Sequence, residues 1–381
     1  MKSYPLFKVH VDVENAISSI REVLESGYIN EGIQVKNFEE ALGKIFGTNV
    51  ALLNSCTSAI TLSLKLCGVS HGDDVVTTPM TCVATNTPVV TSGANIVWTD
   101  IDPETGMPGP DQILSAITEK TKAVIYVAWA GNLGRIEEVY EVCKSKGIPL
   151  ILDAAHSFNA KYKGVDPSLN VADYVCYSLQ AIKHVTTGDG GILTSRHADS
   201  FARAKSLKWF GLDRDSSKDA KGDWKGQQWD VDIIEAGYKF NMNNLTAAVG
   251  ISQLPHVANI IETHKRNSAL YDSLFSGTSI TPLVRSKDED TARWVYTVRT
   301  PLKESDKLSL IEKLNSFGIK AGLVHVPNDD YTCFSKFKKD LPGVREFSNT
   351  QFSLPCGWWL SEEDIKEISR IVIDSLGDYL K

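Results

Sequence analysis

The chain of 381 residues contains no Cys-x-x-Cys pair. Its seven cysteines, at positions 56, 67, 82, 143, 176, 333 and 356, are scattered and odd in number. That spacing fits neither a zinc site nor a disulfide framework. Several lie inside apolar runs, where free thiols pack as small hydrophobes, so a reducing cytoplasm is the expected setting. No apolar run has the roughly twenty residues needed to span a bilayer. Met1-Lys2-Ser3-Tyr4-Pro5 does not read as a secretory signal. Internal repeats and low-complexity tracts are absent. Positive charge is also short: the formal net charge is −7. That balance argues against a nucleic-acid partner, while leaving room for a local basic pocket for a phosphorylated ligand. What is there, 42% hydrophobic and 23% charged residues, is ordinary for a globular protein long enough for two domains and a large core.

The stretch Tyr177 to Gly191 organises the rest. An apolar run, Tyr174-Val175-Cys176-Tyr177, reads as a short buried strand. Ser178, Lys183 and the turn Thr186-Thr187-Gly188-Asp189-Gly190-Gly191 follow, and then a second apolar run, Ile192-Leu193-Thr194. Burial disfavours the charged form of an amine. A neutral lysine amine can attack an aldehyde and form a Schiff base. Most lone lysines instead snorkel from a loop into water. Upstream, Pro149-Leu150-Ile151-Leu152-Asp153 reads as a strand with an acid at its C-terminal end. Ligands sit at that edge in open α/β sheets. The acid can serve as helix cap, metal ligand or counter-ion. Further upstream, Asn54-Ser55-Cys56-Thr57-Ser58-Ala59 follows the apolar Val50-Ala51-Leu52-Leu53. Strand, hydroxyl-rich turn and helix start make either an ordinary N-cap or an anion site. Lysine and carboxylate together point to pyridoxal phosphate chemistry, in which the lysine holds the aldehyde and the acid holds the ring nitrogen.

These motifs, in this order, resemble the DegT/DnrJ/EryC1/StrS family of sugar aminotransferases. Gly27-Tyr28-Ile29-Asn30-Glu31-Gly32 with Val35 and Phe38-Glu39 is similar to the family's N-terminal signature. Ser55 to Ala59 resembles its phosphate loop, and Asp153-Ala154-Ala155-His156 resembles its acid block. Ser178 to Lys183 with Gly188 to Gly191 resembles its Schiff-base block, and Gly237 to Asn243 its Gly-x-Asn-Tyr-Arg-Met block. The resemblance implies an α/β, fold-type-I pyridoxal 5'-phosphate transferase, with a large domain built on a mainly parallel seven-stranded sheet and a smaller C-terminal α/β domain. Residues 1–250 and 251–381 are the expected division.

The resemblance further implies roles. Lys183 is the catalytic Schiff-base lysine and proton shuttle, and Asp153 holds the pyridinium nitrogen. Cys56, Thr57, Ser58 and Ser178 hold the phosphate. His156 either meets the cofactor's phenolic oxygen or is a core histidine. Cys82 stands in the slot of the family's stacking aromatic, so stacking is weaker or another aromatic, with Trp129 as the candidate, replaces it. Lys239 and Asn241 stand in the block's Asn and Arg slots, and Lys239 reaches the cofactor phosphate of the other subunit in a homodimer with shared active sites. Related sugar dehydratases carry histidine in the lysine slot. Here Lys183 fills it and His184 follows, which favours transamination, and the absence of a cysteine cluster argues against an iron–sulfur version. The expected reaction moves an amino group, with L-glutamate as donor, onto a keto-sugar carried by a nucleotide. A dehydratase or lyase of the same fold, and a regulatory protein without turnover, are the competing readings. No metal and no membrane contact is expected.

The rest of the chain reads as alternating elements. Helices are expected over 12–25, 35–46, 57–67, 110–118, 135–146, 197–209, 304–317 and 361–377. One more, from Asn244 to Leu270, bends near Pro255. Strands are expected over 74–77, 95–98, 123–127, 149–153, 173–177 and 191–195. Arg293–Val298 and Ala321–Val326 complete the expected small domain. Residues 213–232 read as a long polar loop carrying Trp224 and Trp229, and with Trp358-Trp359 it is a candidate for substrate contact.

Overall fold

The computed structural model describes residues 2–213 and 232–380; the expected loop with Trp224 and Trp229 falls largely outside them. Short apolar segments bounded by Gly and Asp become the strands of one sheet. They are β1 (Ala51–Leu53), β2 (Asp74–Thr77), β3 (Asn95–Trp98), β4 (Thr121–Val127) and β5 (Leu150–Asp153) and, after the short β6 (Lys161–Tyr162), β7 (Tyr174–Ser178) and β8 (Gly191–Ser195). Their order is β1-β8-β7-β5-β4-β2-β3. Pairing is parallel from β7 through β3, and β8 is antiparallel to both neighbours. Near-continuous burial of β4, β5, β7 and β8 matches a sheet covered on both faces.

Helices α1 (Val13–Ser26), α2 (Ile33–Phe46), α3 (Cys56–Leu66), α4 (Val83–Thr91), α5 (Pro110–Ala116), α6 (Ile136–Ser145) and α7 (Ala198–Leu207) accompany the sheet. Asp12 caps α1 by accepting from the Asn15 N–H, and Gly27 ends it at φ 69°, a left-handed conformation that glycine adopts without penalty. The expected 57–67 helix is present as α3, which Ser55 caps by accepting from the Ser58 N–H. Then α8 (Asn244–Gln253) gives way at Leu254–His256 to one 3₁₀ turn and α9 (Val257–Phe275), the bend that Pro255 requires. The expected boundary at residue 250 lies inside α8.

A second sheet joins β9 (Thr281–Pro282), β11 (Tyr296–Arg299) and β12 (Gln351–Leu354), while β10 (Glu289–Asp290) pairs with β6. With α9, α10 (Glu304–Ser316) and α12 (Glu362–Gly377) it encloses a second core that includes Tyr271, Tyr296, Phe352 and Ile368, while α11 (Pro342–Thr350) turns Val344 and Phe347 to the first core. The first core lies around the large sheet and takes in Trp294, Val324 and Phe347 from the C-terminal part. Ala321–Val326 does not form the expected strand: only Gly322 bridges, to Ser353. Helix α4 and strand β12 were not anticipated. Residues 83–91 are rich in β-branched Val and Thr and contain Pro88, so packing rather than propensity makes them helical.

The N-terminal segment lies across the C-terminal part. Tyr4 exchanges backbone bonds with Gly318 and Lys320, and the indoles of Trp358 and Trp359 donate to the carbonyls of Lys8 and Pro5. That packing occupies the polar edges of Trp358 and Trp359.

Candidate active site

One cavity of about 340 Å³ opens at the C-terminal edge of the parallel strands. Asp153 ends β5, Ser178 ends β7 and Ser55 follows β1, so three strands deliver polar groups to one rim. Because β8 runs the other way, its first residue, Gly191, lies at the same rim, opposite Leu53 and Ser178. A Cβ on Gly191 would lie 2.2 Å from the Ser55 carbonyl oxygen and 2.6 Å from the Cys56 nitrogen, both backbone atoms. Gly191→Ala is therefore expected to lower stability by about 1–3 kcal/mol through forced backbone shifts, measured by urea unfolding.

Seven of the nine site residues named from the sequence line this cavity: Cys56, Thr57, Cys82, Asp153, His156, Ser178 and Lys183. Ser58 does not line it; its hydroxyl donates to Asn54 Oδ1 at 2.6 Å and its N–H to Ser55 Oγ at 3.0 Å, so it shapes the turn. Lys239 does not line it either. Its carbonyl accepts from Asn54 Nδ2 at 3.4 Å, but its Nζ bonds Asn241 Oδ1 at 2.8 Å and lies 3.2 Å from the Trp209 ring centre.

Asp153 is 5% exposed. Oδ2 accepts from Thr85 Oγ1 at 2.7 Å and Oδ1 from the Ala155 N–H at 3.0 Å. Burial holds its carboxyl above the usual range, against the pull of those bonds and of Lys183. A carboxylate so placed favours a cationic partner. Across the cavity, burial lowers Lys183 to about 8, with Asp153 opposing. At pH 7 roughly a tenth of such amines are neutral, against about one in three thousand at the ordinary value. Burial pushes the Cys56 thiol well above its ordinary value, so it lines the turn as a neutral group and not as a nucleophile.

His156 is 3% exposed and desolvated, which holds it well below its ordinary value. Its Nδ1 has no partner among the described residues, and its Nε2 is 3.5 Å from His325 Nε2. His156 is thus buried and also faces the cavity.

The aromatic expected to compensate for Cys82 is not Trp129. That residue is buried away from the cavity, edge-on to Phe347 and His325. Trp294 occupies the wall instead: the Lys183 amine lies 3.3 Å from its ring centre and His156 stacks on it at 4.3 Å. Trp294, His325 and Thr85 were missed from the sequence. None has a local signature, since a lone Trp, His or Thr reads as core or surface; Trp294 and His325 also reach the site from distant segments, while Thr85 lies three residues after Cys82.

Residues 11–373 match the model of the DegT/DnrJ/EryC1/StrS aminotransferase family. A UDP-4-amino-4-deoxy-L-arabinose–oxoglutarate aminotransferase from Shewanella sediminis is 30% identical over 387 residues, covering 98% of each chain. The crystal structure of AtS13 from Actinomadura melliaura has a TM-score of 0.90 at 32% identity, covering 98% of this chain and 99% of its own. The sugar aminotransferase CalS13 from Micromonospora echinospora has a TM-score of 0.89 at 28% identity, covering 97% and 99%. With its motifs in family order and the match spanning both cores, the chain belongs to the DegT/DnrJ/EryC1/StrS aminotransferase family.

Proposed function

We propose that this aminotransferase uses pyridoxal 5'-phosphate to move an amino group from L-glutamate onto the keto carbon of a nucleotide-linked sugar. The observation that carries the reading is the pairing of a desolvated lysine with a buried carboxylate in one cavity, beside a hydroxyl-lined helix start. The residues fit that cofactor. Cys56, Thr57 and Ser178 would hold its phosphate at the start of α3, Asp153 its ring nitrogen, and the orphaned His156 Nδ1 its phenolic oxygen. When bound, it supplies an aldehyde carbon and a ring that accepts electrons from the reacting substrate. Lys183 would capture the cofactor and, once displaced by an amine, would carry a proton between the substrate carbon and the cofactor's aldehyde carbon. Asp153 keeps the ring nitrogen protonated. The walls around Trp294 keep water from the amine.

The sugar substrate follows from the names of the relatives above, two of which are sugar aminotransferases by name. The nucleotide, the donor and a cytoplasmic setting rest on the sequence resemblance and on the seven free cysteines. Among the described residues no helix is long and apolar enough to cross a membrane. The test is to load the protein as the pyridoxamine form and screen keto-sugar nucleotides for return of the cofactor's aldehyde-linked absorbance. Water release without an amino donor would point to a dehydratase, and binding without turnover to a regulator.

We also read the enzyme as a homodimer with composite sites. Lys239 does not line its own cavity, and apolar side chains stand exposed along α1 and into α2: Val13, Ile17, Leu24, Tyr28 and Ile33. Exposed apolar surface of that extent favours a partner. Lys183→Ala and Lys239→Ala proteins, refolded together in equal amounts, should recover activity. Half of the dimers are mixed, so roughly one quarter of all sites carry both lysines. Demonstrated mixed dimers without recovery would place Lys239 outside the site.

A further inference from the structure

Trp294 separates the main cavity from a smaller one of about 10 Å³, which Phe7, Lys183, His184 and Trp359 also line. The indole is 3% exposed and held on three sides. Its Nε1–H donates to the Ile182 carbonyl at 2.7 Å, one residue before the lysine. One face stacks on Phe7 at 4.6 Å and ring contacts continue through His156, at 4.3 Å, to His325. The Lys183 amine rests against this ring, 3.3 Å from its centre. A cation over an indole is attracted by the ring's negative face, most strongly where water is excluded.

We propose that Trp294 is the positioning residue for Lys183: its indole N–H pins the backbone beside the lysine, and its ring holds the free amine between capture of the cofactor and transfer of the proton. The inference rests on the reading of Lys183 as the cofactor-linking lysine. It gives the wall the aromatic surface that Cys82 cannot supply at the usual stacking position, and moves that surface from the cofactor to the lysine.

The charged and titratable groups around Lys183 define what the ring contributes. Asp153 faces it from β5, Cys56 from α3 and Cys82 from the turn before α4. His156, His184 and His325 feel its charge, and burial lowers all three, His325 to about 4, so near neutral pH they add no positive charge. Asp153 and the indole face are therefore the groups that stabilise the ammonium form. Removing the ring while keeping the wall apolar should make the amine lose its proton more readily.

The experiment uses cofactor-free protein and a trace of acetic anhydride across pH 6–10, with acetylation of Lys183 followed by peptide mass spectrometry. In Trp294→Leu the midpoint of reactivity should fall by about one pH unit. In Trp294→Phe, which keeps a ring face but no N–H, the midpoint should stay and kcat should fall about tenfold at unchanged KM, because the backbone anchor is lost. A space-filling role alone would lower stability in both variants and move neither midpoint. A midpoint that stays or rises in Trp294→Leu, or falls equally in Trp294→Phe, overturns the proposal. If Trp294→Leu does not fold, Trp294→Phe decides, and wild-type kcat or a lowered midpoint in it counts against the role. Borohydride reduction of each holoprotein separates the two ideas. No label on Lys183 defeats the cofactor reading itself, whereas label together with an unmoved midpoint in Trp294→Leu defeats only the role of Trp294.

Discussion

Lys183→Ala is expected to lower turnover by roughly four orders of magnitude or more while cofactor still binds. The lysine both captures the cofactor and carries the proton, so one substitution removes two functions from a site otherwise intact. Asp153, the α3 turn and His156 remain to hold the cofactor. Wild-type protein reduced with borohydride should carry the cofactor on Lys183 alone, and label on another lysine defeats the assignment. Capture has a pH dependence of defined sign. The neutral amine attacks, and burial lowers Lys183 to about 8. The rate at which cofactor-free protein takes up cofactor should therefore rise about tenfold per unit below pH 8 and level off above it. A rise continuing past pH 10 would mean that the attacking amine is exposed. Stopped-flow absorbance reads both outcomes.

Asp153→Asn should bind cofactor yet turn over about two to four orders of magnitude more slowly. Thr85 and the Ala155 N–H orient the side chain through different oxygens, and an amide of the same shape keeps its one oxygen for the Ala155 N–H and turns its NH2 toward the Thr85 hydroxyl, which can accept. What it loses is the charge. Breaking a buried pair leaves the other charge uncompensated at about 3–5 kcal/mol, and each 1.36 kcal/mol is about tenfold in rate. In the free protein burial already holds the Asp153 carboxyl above its usual range, so the site favours a cation opposite it. The check is kcat, with absorbance showing that the cofactor is in place. Activity within a few-fold of wild type would mean that another group holds the ring nitrogen.

Much of the site was legible because its parts are short and local. An acid closing an apolar strand, a hydroxyl cluster between strand and helix, and a lysine followed by a glycine turn each carry their own signal. Their order along the chain supplied the resemblance. At 56–66, Ile60, Leu62, Leu64 and Leu66 alternate as in a strand while Ala59, Leu62 and Leu66 share one helix face, and the Ser55 cap makes the stretch helical. Residues 83–91 failed the same test, since Val, Thr and Pro88 disfavour a helix that packing against α3 imposes.

What the amino-acid order determined by itself was the alternation of elements, the strand-end placement of Asp153, Ser55 and Ser178, and the lysine that follows them. These depend on residues a few positions apart, where backbone propensity and burial period act directly. Only the tertiary structure decided that Trp294 and not Trp129 walls the cavity, that His325 reaches His156, and that Lys239 does not line its own cavity. Those contacts join segments more than a hundred residues apart, or follow from which face of a loop packs inward. They are set by how the two cores dock, and no local pattern encodes that.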